Sequence, residues 1–258
     1  MEPSEIKTVF EEWNAKHRRD AWHVSIDNSD TKSLSWFGGA PTASNNFEWP
    51  TCAQCKKPMQ FFLQLDLSSL PNSLETPLRD GLLHLFYCSS DDGMCETWEA
   101  FSGTHELRVV QRFDNQCSHP PEITPLPKAI ISGWQLFTDS PSPAEHELLG
   151  IKYDYDFSKN IVSVEVEKYG INLRDLNIDL NVAETISESS SGDKLGGWPD
   201  WVQGPEYPAC TECQKPMDLL FQIDSNDNLD YMFGDVGCAH ITQCQEHPHV
   251  LAFAWACG

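Results

Sequence analysis

The stretch from Phe37 to Asp66 returns at Leu195 to Asp224, at a constant offset of 158 residues and without a gap. Twelve of the 30 aligned positions are identical, among them Gly38/Gly196, Gly39/Gly197, Pro41/Pro199, Cys52/Cys210, Cys55/Cys213, Pro58/Pro216, Met59/Met217, Gln64/Gln222 and Asp66/Asp224. Identity at one fixed register points to an internal duplication, and both copies carry the same C-x-x-C. Such a chain must build one local unit twice, and each unit presents two sulfurs at metal-ligand spacing.

A structural zinc site takes four soft or borderline ligands in a tetrahedron, from two short knuckles far apart in sequence. In the first copy Cys52-Ala-Gln-Cys55 is one knuckle, and Cys88 and Cys95, in YCSSDDGMC, form the other. The run Leu82–Tyr87 brings Cys88 to the end of a strand, and a glycine-containing loop returns Cys95. In the second copy the first knuckle is Cys210-Thr-Glu-Cys213. HITQC matches HLFYC, so Cys244 takes the place of Cys88. For the fourth ligand the C-x-x-H spacing of Cys244-Gln-Glu-His247 favours His247, with His249, Cys257 and Cys238 as alternatives. The expectation is two closed, zinc-ribbon-like sites holding two structural zinc ions.

The chain has 258 residues, with 17 basic against 39 acidic side chains and a net charge of −22. Such a field repels nucleic acid and anionic membrane surfaces, and it steers a basic protein inward; acidity that serves only solubility is the plain alternative. The opening MEPSEIKTVFEEWNAKHRRDAW lacks the basic, apolar and small-residue order of a secretory signal, and no apolar run is long enough for a membrane span. Ten cysteines in that setting argue for metal in a reducing compartment, hence a cytoplasmic protein.

Ser4 caps an expected helix over about residues 4–19, with Ile6, Val9, Phe10 and Trp13 on one face. Beyond Trp22 the apolar runs are short and bounded by Gly, Pro, Asn and Asp. Met59–Leu67, Leu82–Cys88, Leu107–Phe113 and part of Tyr153–Tyr169 read as strands. A short helix is expected at Ala144–Leu149 behind Pro141 and Pro143. Ile186–Lys194 reads as an exposed polar loop, and His240–Ala256 as two apolar runs around CQEHPH. The fold class is mainly β (α+β), with a few peripheral helices. It is read as one domain of two related halves, about residues 20–145 and 146–258.

Catalytic patterns are scarce. Cys117 with His119, and Cys238 with His240, share strand faces without forming a dyad by spacing alone. Asp66, Asp224 and Asp91-Asp92 could act as carboxylates, but Q-x-D at two equivalent strand ends suits turn and hydrogen-bond chemistry better. There is no P-loop, G-x-G-x-x-G, G-x-S-x-G or H-E-x-x-H, and no H-x-E precedes either C-x-x-C as a zinc deaminase would require.

FGGAP…FEWP, KPMQFFLQLDLSSLP, GLLHLFYC, LLGIKYD and LGGWPDWVQG…LLFQIDSND…MFGDVGC together resemble the YwqG-like family, also called domain of unknown function 1963. The resemblance runs from about Ser35 to the C-terminus. It implies a single mixed, mainly β fold in a bacterial cytoplasmic setting and brings no established activity. Many members lack the C-x-x-C pairs, so the metal sites define a subset. Some members are encoded beside toxins, which implies an immunity role. The expected function is therefore non-enzymatic binding of a basic, toxin-like protein, with WPDW and EWP as anchors or as core. The alternative is a zinc-dependent hydrolase or other metalloenzyme using the second site.

Overall fold

The computed structural model describes residues 3–90, 95–113, 115–156, 158, 161–166, 171–179 and 190–258. Asp91 and Asp92, and residues 186–189 of the polar loop, lie outside them. Helix α1 (Pro3–His17) leads into strand β1 (Arg19–Ile26). The first block follows as β2 (Trp36–Phe37), β3 (Gln60–Asp66), β4 (Leu82–Tyr87) and β5 (His105–Val110). Strand β6 (Ala129–Asp139) and the short helix α2 (Pro143–Leu148) come next. Strands β7 (Ile151–Asp156), β8 (Ile161–Val166) and β9 (Ile171–Asp179) form a separate three-stranded antiparallel sheet. The last block is β10 (Lys194–Gly196), β11 (Asp218–Asp224), β12 (Cys238–Gln243) and β13 (Leu251–Ala256).

Ten strands join in one sheet with the order β13-β12-β11-β10-β1-β6-β2-β3-β4-β5. The antiparallel pair β1–β6 stands at its centre; β10 extends it from β1 and β2 from β6. The two flanking blocks then pair in matching registers. Trp36 faces Gln64 as Lys194 faces Gln222, and Asp66 faces Leu82 as Asp224 faces Cys238. Tyr87 faces His105 as Gln243 faces Leu251. Even the irregularity recurs, between Phe61 and Leu63 and between Leu219 and Phe221. An extra residue in one strand sharpens its twist and bends it. Phe62 and Leu220 are those residues, and both are buried in the common core.

Bending at both blocks curls the sheet until its edges meet. His105 of β5 packs on Phe253 of β13 with ring centroids 5.1 Å apart, so the sheet is nearly a barrel. Its interior unites the halves: Phe37 lies 6.0 Å from Phe221, and Phe62, Tyr87, Tyr231, Phe233 and Phe253 form a continuous aromatic cluster.

Three expectations need correction. The strand expected at Leu107–Phe113 begins two residues earlier and ends at Val110. The Tyr153–Tyr169 segment supplies two strands, β7 and β8, rather than one. Lys194 is the end of no exposed loop; its side chain is wholly buried in β10 and its Nζ donates to Asp139 Oδ2 at 2.9 Å and to Ser190 O at 2.7 Å. A charge in so dry a place is tolerable only when paired and hydrogen-bonded. The same Asp139 oxygen accepts from Trp198 N at 2.8 Å, and a Cβ on Gly197 would sit 2.4 Å from it. Glycine at 197 is what lets the LGGWP turn close over this carboxylate. Trp198 is core, with Arg19 stacked 3.4 Å from its ring centre.

Candidate metal centres

Each C-x-x-C sits on a tight loop between β2 and β3, or between β10 and β11. Cys52 N donates to Lys57 O (2.9 Å), Lys56 N to Cys52 O (3.0 Å) and Met59 N to Pro50 O (2.9 Å). Cys210 N to Lys215 O, Gln214 N to Cys210 O and Met217 N to Pro208 O repeat this at 2.8, 2.9 and 3.0 Å. The chain turns back through a left-handed residue directly after the second cysteine, Lys56 (φ 63°) or Gln214 (φ 61°). That turn aims backbone N–H groups at sulfur: Gln54 N lies 3.4 Å from Cys52 Sγ, and Glu212 N the same from Cys210 Sγ.

The other ligands arrive on the far ends of β4 and β12. Cys88 and Cys244 follow these strands directly, and each is held to the next strand's approach, Cys88 N to Thr104 O at 2.8 Å and Cys244 N to Val250 O at 3.2 Å. The result is two groups of four, Cys52, Cys55, Cys88 and Cys95, and Cys210, Cys213, Cys244 and His247, with all ligand atoms of a group within 4.8 Å of one another. Cys52–Cys95 and Cys55–Cys88 sulfurs are 3.8 and 3.6 Å apart. Cys213–Cys244 is 3.7 Å, and His247 Nδ1 lies 3.7 Å from both Cys210 and Cys244 sulfurs. A tetrahedron with metal–sulfur bonds of about 2.3 Å has edges of about 3.8 Å, so these are the separations a bound ion would set. All ten cysteines are free.

Burial drives the Cys55 and Cys210 thiols up, but backbone N–H groups and neighbouring sulfurs outweigh it, bringing Cys55 to about 7 and Cys210 to about 6. Burial pushes Cys88 far the other way. Thiols lowered in each group favour the thiolate there, and a thiolate favours a cation.

A further residue type, unread in the sequence, orients the second site. His247 Nε2 lies 3.3 Å from Glu212 Oε2, and His249 Nε2 lies 2.5 Å from Glu212 Oε1. A carboxylate on one ring nitrogen turns the other toward the metal and makes it a better donor. Glu212 occupies the position of Gln54, whose Oε1 accepts from Glu96 N at 3.0 Å, next to Cys95. In both loops, then, the third residue of C-x-x-C ties the knuckle to the fourth ligand.

The remaining candidates lie elsewhere. His249 meets Glu212, Cys257 packs against Gly234, and buried Cys238 sits 3.7 Å from His240 Nε2, its thiol held up by burial. Cys117 N pairs with Pro41 O, while His119 packs on Trp49 at 4.9 Å. Asp66 accepts from Ser68 N and from Arg112, and Asp224 from Gly192 N and Ser225 N, the turn chemistry read from Q-x-D. The glutamines of that motif are buried staples. Gln64 bridges Leu34 O and Thr42 N as Gln222 bridges Gly192 O and Asp200 N.

A near-closed, mainly β sheet with paired cysteine knuckles defines the class, and comparison supplies the family. The profile described as "Domain of unknown function (DUF1963)" matches residues 35–253, so the chain belongs to that family, the YwqG-like family, in a subset with two cysteine clusters. No curated protein matches it. No helix among the described residues is long and apolar enough to cross a membrane.

Proposed function

We propose that this chain is a non-enzymatic, cytoplasmic protein that holds two structural zinc ions and acts by binding a basic protein, in the most specific form as an immunity protein that occludes a basic toxin. The observation that carries the metal reading is the pair of four-ligand groups, each within 4.8 Å, with five of the ligand–ligand separations at 3.6 to 3.8 Å. Four thiolates, or three with a histidine, suit zinc over harder cations, and four protein ligands leave no coordination position for a reacting water. Bound zinc supplies rigidity here, cross-linking the end of β4 or β12 to the loop before β3 or β11.

The binding reading rests on charge. Two divalent ions offset only part of the charge of the seven thiolates that would hold them, so the loaded protein stays strongly anionic. Encounter with a cationic partner is then fast and salt-sensitive, since the screening length shrinks to about 10 Å at 0.1 M salt.

Elemental analysis of protein purified without chelator tests the first part; close to two zinc ions per chain is expected, and none overturns it. Pull-down from the native cells, followed by association kinetics at rising salt, tests the second. A basic partner whose on-rate falls with salt is expected. No basic partner, together with metal-dependent hydrolysis abolished by Cys210→Ser, overturns the binding reading in favour of an enzyme. A toxin gene beside this one supports the immunity form, and a metabolic operon counts against it.

A further inference from the structure

The two metal centres share a neighbour. The segment that begins at Cys95 and ends at Thr104 crosses from the first centre to the opposite edge of the sheet: Trp98 O accepts from Trp255 N of β13 at 3.3 Å, and Ala100 packs on the second centre's cluster with Met217, Val250 and Ala252. It is anchored along its length, with Ala53 N donating to Gly103 O at 2.8 Å and Thr104 Oγ1 to Glu96 O at 3.3 Å. Opposite it runs the approach to the second knuckle, Gln203–Pro208. Glu145 of α2 pins this wall, accepting from Tyr207 Oη at 2.6 Å and from Trp201 Nε1.

Between these walls and β13 lies an open groove of about 650 Å³. Trp98, Tyr207 and Trp255 line it together with Glu99 and Glu206, and no lysine or arginine is among its lining residues. Trp98 is 48 % exposed, a large apolar ring left in solvent at the groove's rim. Its floor continues into a smaller pocket bounded by Trp201, His240 and Trp255.

We propose that this groove is the docking site for an arginine or lysine side chain of the basic protein partner. The inference rests on the binding reading above and gives it a place. Aromatic faces attract a cation through the ring quadrupole, best at tryptophan, and two carboxylates at the same rim supply the opposite charge. Interface anchors are commonly a cationic or aromatic side chain seated in such a cleft. The arrangement also gives the closed metal centres a purpose. One wall starts at ligand Cys95, and the other ends two residues before ligand Cys210, so ions in the two cages hold the groove's width.

The test is titration calorimetry of the metal-loaded full chain with acetylated tri-arginine amide, at low and at physiological salt. Trp98→Ala is expected to weaken binding about tenfold. Glu206→Gln should weaken it about fivefold, while Glu122→Gln, which removes one exposed charge elsewhere, should change it less than about twofold. Zinc content and melting temperature of all three variants should match the parent, which separates docking from folding. If Glu122→Gln costs as much as Glu206→Gln, or Trp98→Ala costs nothing, the groove assignment is overturned and only the net field binds the peptide. If the parent binds no arginine peptide at any salt while still capturing a basic protein, the groove fails and the binding reading stands. If it captures neither, the binding reading itself fails.

Discussion

The two candidate metal centres occupy equivalent places in two blocks of matching register, yet they differ in three respects. The first closes with Cys95 across a C-x6-C, the second with His247 across a C-x2-H. Gln54 offers the first only a backbone link, whereas Glu212 holds the second's histidine through its ring. Around the first pack Trp36, Phe47, Trp49, Phe61 and Phe86, while the second has Val250, Ala252 and Ala100. Four thiolates in an aromatic shell make a site whose orientation comes from packing. A histidine can rotate, so the second site adds a carboxylate. The scaffold is constant, and the support follows the chemistry of the fourth ligand.

The comparison breaks most simply by removing ligands. On the two-zinc proposal, Cys52→Ser and Cys210→Ser should each lose about one ion per chain, with a destabilisation of several kcal/mol, because a bound metal's binding energy is folding energy. His247→Ala should empty the second site, and His249→Ala and Cys257→Ser should leave it filled; elemental analysis and thermal melts read both outcomes. A second site emptied by His249→Ala alone would reassign the ligand.

Next in size is the orienting contact. Glu212→Gln should weaken metal retention at the second site by about 10- to 100-fold in a chelator competition. Gln54→Ala should change the first site by less than about tenfold, since it removes no contact to a ligand side chain. Equal losses would mean that Glu212 acts only as a loop staple.

A smaller effect, shared by the two blocks, concerns the buried histidines at matching places on β4 and β12. Burial holds both His84 and His240 down, to about 3, against an ordinary value of 6.5. A histidine depressed in the folded state binds fewer protons than in the unfolded chain between those two values. Its contribution is therefore intact above about pH 6.5 and declines as the pH falls toward 3, by about 1 kcal/mol per pH unit. His84 Nε2 donates to Gln64 Oε1 at 2.9 Å, so His84→Gln keeps a donor there. Denaturant melts from pH 7 to 5 should show a shallower slope in the variant; metal loss on acidification is common to both proteins and cancels. Identical slopes would exclude His84 as a source of acid lability.

The smallest effect lies in the turns. Lys56→Gly and Gln214→Gly should each raise stability by up to about 1 kcal/mol, because glycine carries no penalty at positive φ. A clear gain at one position and loss at the other would show that the lysine or glutamine side chain contributes more than its backbone costs.

Much of this was legible in the chain. C-x-x-C followed by a proline turn, and a strand ending in cysteine, are local patterns, and they bring Cys52, Cys55, Cys88 and Cys95 together, and Cys210, Cys213 and Cys244 likewise. The C-x-x-H spacing of His247 is also local. Less visible was Glu212, since its value depends on where a ring 35 residues later turns. An i+2 acid inside the knuckle opposite a C-x-x-H was the available signal. The central pair β1–β6 is hard to read because the alternation of WHVSI is short and AIISGW has none, and their pairing is decided by the blocks on either side.

By itself the sequence determined the candidate ligand sets, the strands beside them, the mainly β class and the acidic character. Those follow from spacing, periodicity and charge, which act over a few residues or over the whole chain. Only the tertiary structure decided that Lys194 is buried on Asp139, that the sheet curls until β5 meets β13, and that the Cys95–Thr104 segment faces the Gln203–Pro208 wall across a groove. Each joins residues far apart in sequence, where burial and hydrogen-bond satisfaction of the assembled sheet, rather than any local preference, select the partner.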